Sequence, residues 1–320
     1  MDSEIDDDTR EVFSRLAEMS IVVRSQSGAR TGVGLSDSWL VSVQHELVYA
    51  LLAHAAREAD VDIVFIKGPV LFAQGLRTRE HSGDVDCWVR PGGERALAAA
   101  IAPWGWRIVP TAFDGTAVAH SVTLVPGEWG CEIDVHWRFP GMTLDPDSAF
   151  DLVHESAEQR VFAGATVRTP SPAMHAVIYA LHELRPVSGR QYSDSQFQSA
   201  VMALTAAGPQ AIDIASRVGA GYVLHEALQL SFPNEEVPES NQLVPEDWEW
   251  RKIVSVPQRQ LAAVRNVDVW QRPRVIFRLL WPTRDTSRRI RDAADASPRG
   301  LRRVKVKRLW DGIRTYLRAQ

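Results

Sequence analysis

The stretch Gly83-Asp84-Val85-Asp86-Cys87-Trp88-Val89 decides how this chain is read. Side chains along a strand alternate between its faces, so Asp84 and Asp86 point one way while Gly83, Val85, Cys87 and Val89 point into a core. Two carboxylates are thereby aimed at one place. A second segment, Cys131-Glu132-Ile133-Asp134-Val135-His136-Trp137, repeats the pattern, with Cys131, Ile133, Val135 and Trp137 as an apolar row and Glu132, Asp134 and His136 as a polar one. If the two strands are sheet neighbours with polar faces aligned, Asp84, Asp86 and Asp134 converge. Such acids repel one another unless a cation sits between them, and oxygen-only ligation suits a hard divalent ion such as Mg²⁺. For any single Asp-x-Asp strand the alternative is an ordinary solvent face.

Upstream, Val61 to Ile66 is a compact β-branched run that ends at Lys67-Gly68-Pro69, where a strand turns into a helix over Val70 to Leu76. A helix amino terminus presents free N–H groups, and a glycine before it lets phosphate oxygens approach the backbone. Lys67 would add a point charge there, and Arg79, in the polar loop Arg77 to Ser82, is a further candidate for an anion. The competing reading is a plain strand-to-helix junction with solvated cations. Further upstream, Ser38 to Ala59 has the apolar spacing of an amphipathic helix, and residues 1–38 form an extension with a short helical candidate over Thr9 to Met19.

Downstream, Glu94 to Ile101 reads as a helix and Trp106 to Val109 as a strand. Ala117 to Val125 and Cys131 to Phe139 flank Pro126-Gly127-Glu128-Trp129-Gly130 and read as a hairpin that returns Asp134 to the sheet. His120 and His136 lie close to the acids on this reading, as residues that orient them rather than as metal ligands. From residue 151 onward the pattern is helical: Pro172 to Leu184 with Ser171 as cap, then Gln196 to Ala206, Gln210 to Val218, Tyr222 to Leu230, Asp247 to Arg265 and Val275 to Leu280. His175 and His182 share a face of the first of these and read as hydrogen-bonded residues at a packed surface.

The chain has 320 residues, 45% of them hydrophobic, and its only cysteines, Cys87 and Cys131, fall on the two core rows. A disulfide framework and a cysteine metal site are thereby set aside. No apolar run approaches the roughly 20 residues of a membrane span, and the amino terminus is acidic, so the expectation is a cytoplasmic protein without an export signal. The net charge of −4 hides an asymmetry: from Arg274 to Gln320 there are fourteen Arg and Lys against four Asp, a local charge of +10. Such a tail is a candidate for contact with nucleic acid or an anionic surface, or a solvated helix that covers an acidic domain.

Ile66-Lys67-Gly68, Arg79, Gly83-Asp84-Val85-Asp86 and Ile133-Asp134-Val135-His136-Trp137 together resemble the uncharacterised nucleotidyltransferase family of the DNA polymerase β-like superfamily. Looser similarity continues through Leu181-His182 and Leu280-Trp281-Pro282. The resemblance implies an α+β fold, in which a mixed β-sheet nucleotidyltransferase core with flanking helices at 39–150 is followed by a mainly helical C-terminal domain at 151–320. It implies that Asp84 and Asp86 hold Mg²⁺, that Asp134 is the third metal and catalytic carboxylate, and that Lys67, Gly68, Gly83 and Arg79 attend the nucleoside triphosphate, with ATP the first choice. Glu132 is a possible supplement to Asp134. The implied reaction moves an NMP group to an acceptor that is a small molecule, a tRNA or a protein. The alternative is a catalytically silent binding protein that keeps the architecture and uses its basic tail.

Overall fold

The protein is described here from a computed structural model, over residues 43–281 apart from 81, 188 and 239–243, together with Trp310. The amino-terminal extension and most of the basic tail, Pro282 included, therefore lie outside the described residues. Helix α1 (Val43–Glu58) is buried along most of its length. It leads into strand β1 (Ile63–Ile66), the short helix α2 (Gly68–Ala73) and strand β2 (Asp84–Val89). Helix α3 (Glu94–Ile101), the two-residue strand β3 (Arg107–Ile108), β4 (Ser121–Val125) and β5 (Glu132–His136) follow.

The sheet runs β1-β2-β5-β4-β3. Strands β2 and β5 are parallel and all other pairs antiparallel, so the sheet is mixed, as expected. Residues 117–139 do form the hairpin read from the sequence, with β4 and β5 paired through Thr123↔Asp134. Alternation gives the sheet two unlike faces. Phe65, Val85, Cys87, Val89, Val122, Leu124, Ile133 and Val135 pack with Leu51, Leu52, Leu97 and Ile101 of α1 and α3. The opposite face carries Val64, Ile66 and Trp88, which join the core of the helical half. Asp84, Asp86 and Asp134 stand on that second face, so a layer of helices closes over them.

The second half is not wholly helical. After helix α4 (Pro146–Glu155), whose cap Asp145 accepts the Ser148 N–H at 3.0 Å, the chain forms a hairpin of β6 (Glu158–Phe162) and β7 (Ala165–Thr169). Its two-residue turn, Ala163-Gly164, has φ values of 45° and 82°, the left-handed pair such tight hairpins require. The strands carry Glu158, Gln159 and Arg160 where a run of β-branched residues would announce a sheet. Phe162 nonetheless anchors the hairpin to α1, its ring 5.4 Å from that of Tyr49.

Helix α5 (Pro172–Leu184) matches the sequence reading at both ends and is buried on nearly every side. It packs on α6 (Asp194–Ala207), α7 (Gln210–Arg217) and α8 (Gly221–Ser231) around Ile178, Leu181, Leu204 and Leu224. The single helix expected over 247–265 is divided into α9 (Glu246–Glu249), a 3₁₀ turn (Trp250–Lys252) and α10 (Val256–Arg265). Pro257 explains the break, since it lacks an N–H and is tolerated only in a first helical turn, which is where it lies. Helix α11 (Arg272–Leu280) ends the continuous description. Among the described residues no helix is long and apolar enough to cross a membrane.

Candidate active site

The parallel register of β2 and β5 sets Asp86 beside Asp134 and Asp84 beside Glu132. One oxygen or nitrogen each from Asp86, Asp134 and His136 lies within 4.8 Å of the others. The carboxylates of Asp86 and Asp134 thus meet as the alternation of their strands suggests. Asp84 lies outside this tight group, one strand repeat away. Its side chain accepts from the Ser82 hydroxyl at 2.9 Å, and its carbonyl lies 3.1 Å from His45 Nε2. Glu132 is exposed at the same level, and Gly83 is exposed at the start of the strand.

Asp86 is 3% exposed and its Oδ1 receives two partners, the Lys67 ammonium at 2.5 Å and His136 Nε2 at 3.0 Å. Burial pushes this carboxyl up, but the Lys67 charge and the His136 hydrogen bond outweigh it and hold Asp86 well below the usual carboxylate range. Burial keeps His136 below its ordinary value against the pull of Asp86, and its Nδ1 is buried without a hydrogen-bond partner. Asp84 shifts the other way, raised by burial and by the charge of Asp86. Asp134 is half-buried, and its Oδ1 accepts from the Thr123 hydroxyl at 2.6 Å across the hairpin.

Lys67 occupies a strained position, with φ 57° in a non-glycine residue. A chain of hydrogen bonds from α5 holds it there. The Lys67 N–H donates to His175 Nε2 at 2.6 Å, His175 Nδ1 lies 2.5 Å from Gln74 Oε1, and Gln74 Nε2 donates to the Pro170 carbonyl at 2.9 Å. Burial drives His175 down to about 3, in keeping with a neutral ring that accepts at Nε2 and donates at Nδ1. Gly68 follows with φ 60°, and a Cβ there would meet the Tyr49 hydroxyl oxygen at 2.7 Å. The amide and the ammonium of Lys67 are both engaged, so the cation read from the sequence as a phosphate partner here serves Asp86.

Arg79 is exposed in the loop before β2. Arg77, two residues earlier and half-buried, is the arginine whose charge reaches Asp84, Tyr49 and Tyr179. Nothing in the local sequence separates the two. From the same helix His182 faces the site, its value pushed down to about 3 by burial and by the charges of Lys67 and Arg185.

The donor set fits a divalent cation. Two carboxylates side by side provide hard oxygen ligands and His136 leaves a buried nitrogen unpartnered, while the Lys67 ammonium takes one oxygen of Asp86, Oδ1.

No protein-family model and no curated protein matches the chain. Among solved structures, the antibiotic-resistance factor ANT(2'')-Ia in solution is 17% identical, with 58% of this chain and 95% of that one covered and a TM-score of 0.37. The crystal structure of ANT(2'')-Ia in complex with adenylyl-2''-tobramycin is 19% identical over 56% and 97%, with a TM-score of 0.36. An antigenic nucleotidyltransferase-like protein from Paracoccidioides brasiliensis is 15% identical over 60% and 94%, with a TM-score of 0.37. The chemistry of the site rests on its own residues.

Proposed function

We propose that the chain is a metal-dependent nucleotidyltransferase that moves an NMP group from a nucleoside triphosphate, ATP by first choice, to an acceptor. The observation that carries this reading is the pairing of Asp86 and Asp134 on adjacent parallel strands, with Asp86 kept ionised in a buried place by Lys67 and His136. A buried carboxylate is costly unless it is paired, and a pair of them marks a site built to receive positive charge. On this reading 39–150 is the catalytic unit and 151–320 the mainly helical unit that follows it.

Mg²⁺ bound to Asp86 and Asp134, with Asp84 as the next carboxylate along β2, would neutralise charge at the α-phosphate and on the departing pyrophosphate. Asp134, whose carboxylate accepts from Thr123, would take the proton of the acceptor hydroxyl as its oxygen bonds to the α-phosphorus and the bond to the bridging oxygen breaks. Gly68, Gly83 and Arg79 would attend the triphosphate at the end of the sheet where β1 stops and β2 begins. His136 keeps Asp86 oriented, and Lys67 supplies the positive charge in its neighbourhood.

The test is incubation of the full chain with labelled nucleoside triphosphates, Mg²⁺ and a panel of acceptors, beside Asp84→Ala and Asp86→Ala. The expected result is label transfer by the wild type and its loss, by a factor of about 10² or more, in both variants. Equal labelling by all three proteins would contradict the proposal.

A further inference from the structure

Beyond the His136 end of β5 lie three half-buried guanidinium groups: Arg138 just after that strand, Arg185 just after α5 and Arg251 in the 3₁₀ turn after α9. Arg138 donates from Nε to the Ala119 carbonyl at 3.1 Å and from Nη2 to the Val118 carbonyl at 3.2 Å, and its Nη1 lies 3.2 Å from Asp247 Oδ2. Arg185 Nη1 donates to His120 Nε2 at 3.0 Å. The His120 ring is in turn 5.8 Å from His136, the partner of Asp86. Arg251 lies over the Trp250 ring at 4.6 Å, and its Nε is buried with no hydrogen-bond partner.

Among the described residues, Asp247 is the single carboxylate in ion-pair contact with these three arginines. Glu246, which lines the same cleft of about 320 Å³ as Arg138, Asp247 and Trp250, is exposed. A second cleft, of about 590 Å³, is lined by Arg185 with Arg190, Tyr192, Ser193 and Gln196 and by no acid. The cations act on one another: burial and the Arg185 and Arg138 charges push Arg251 down to about 10, and burial with the charges of Arg251, Arg185 and Arg138 drives His120 far below its ordinary value. Neutral His120 is what lets Arg185 donate to it. Arg185 also lies in the field of Asp86 and Asp134, so the cluster borders the acids of the site, and its partly desolvated guanidinium forks match the oxygens of a phosphate.

Topology says which substrate this charge serves. Asp86 on β2 has β1 on one side, followed by the Lys67-Gly68 turn, and on the other β5, which ends at His136 and leads to Arg138. If the triphosphate takes the Gly68 side, as in the reading above, the arginines are left for the second substrate. We propose that the Arg138, Arg185 and Arg251 cluster is the acceptor subsite, and that the acceptor carries a phosphate group. This proposal rests on the transferase reading for the word acceptor, but not for the existence of the oxyanion site.

The test titrates inorganic phosphate into the full chain in EDTA, followed by calorimetry and ³¹P line width, then repeats the titration with Mg²⁺ and a saturating non-hydrolysable ATP analogue. Saturable binding is expected, weakened about tenfold or more in Arg185→Gln and in Arg251→Gln, and unchanged by the analogue. Asp247→Asn should tighten it, a gain that only a folded protein can show, because the competing carboxylate is gone while the oxygen that accepts the Gly141 N–H is kept. Absence of saturable binding in the wild type, indifference to all three substitutions, or an adventitious ion only would overturn the proposal. Displacement of phosphate by the analogue would overturn it too, by giving the arginines to the triphosphate. No transfer occurs in this experiment, so a failed labelling assay and a failed titration are separate results.

Discussion

Asp86 sits between an ammonium and an imidazole in a place that is 3% exposed, and each partner has a cost if removed. Lys67→Met takes the charge from a buried ion pair and leaves the carboxylate with His136 alone. A loss of about 3–5 kcal/mol is expected in EDTA, measured by urea unfolding, with part of it returned when Mn²⁺ replaces the missing cation. A stability loss that Mn²⁺ leaves untouched would separate Lys67 from any metal site. Gly68→Ala is a second probe of the same turn: φ 60° and the Tyr49 hydroxyl at 2.7 Å from the new Cβ make it destabilising by about 1–3 kcal/mol.

His175 gives the turn a pH dependence. Its folded value, about 3, lies below the ordinary histidine value near 6.5. As pH falls from about 6.5 towards 3 the unfolded chain takes up a proton that the folded chain refuses, so the stability present above pH 6.5 is progressively lost. Between pH 7 and pH 5 the share of His175 is on the order of 1–2 kcal/mol. Urea midpoints should therefore fall over that range, and His175→Gln, though weaker at pH 7, should show a flatter profile. Parallel profiles for the two proteins would assign the acid sensitivity elsewhere.

Among elements, the pairing of β2 with β5 does most to make the site, because a parallel register puts Asp86 and Asp134 on one level and one face. That much was legible from alternation, since both strands switch apolar and acidic residues with period two. The third member of the close group was harder to read. His136 shares a face with Asp134, but only the register, which sets Trp88 opposite His136, shows that its ring folds back to Asp86. The β6–β7 hairpin was not legible from strand propensity, as its exposed half is charged and its evidence lies in the Ala163-Gly164 turn and in Phe162, whose partner Tyr49 is distant in sequence.

Helix α5 couples the two halves: its His175 clamps the Lys67 turn while Leu181, fully buried, fills the core beneath Trp248 and Gly141. Leu181→Ala is expected to cost about 2–5 kcal/mol in urea unfolding, and to loosen the site as well, because the helix that carries the clamp loses its seat. A cost below about 1 kcal/mol would mean that α5 is not the rigid link described.

At the scale of the whole molecule, the mixed sheet places acids on the face that the helical half covers, and the arginine cluster closes the far end of the same face. The Arg77 orientation and the arginine cluster could not be read from sequence, because their members come from separate elements that only packing brings together. The basic tail, legible from composition alone, lies outside the described residues apart from 274–281 and Trp310. The central claim is that Asp86 and Asp134 share one divalent cation beside a nucleotide. It is tested most directly by calorimetric titration of Mn²⁺ into the full chain with a non-hydrolysable nucleoside triphosphate, in wild type, Asp86→Asn and Asp134→Asn. Saturable, nucleotide-linked Mn²⁺ binding in the wild type that is lost in both variants is the predicted result; binding that survives both substitutions would contradict the account.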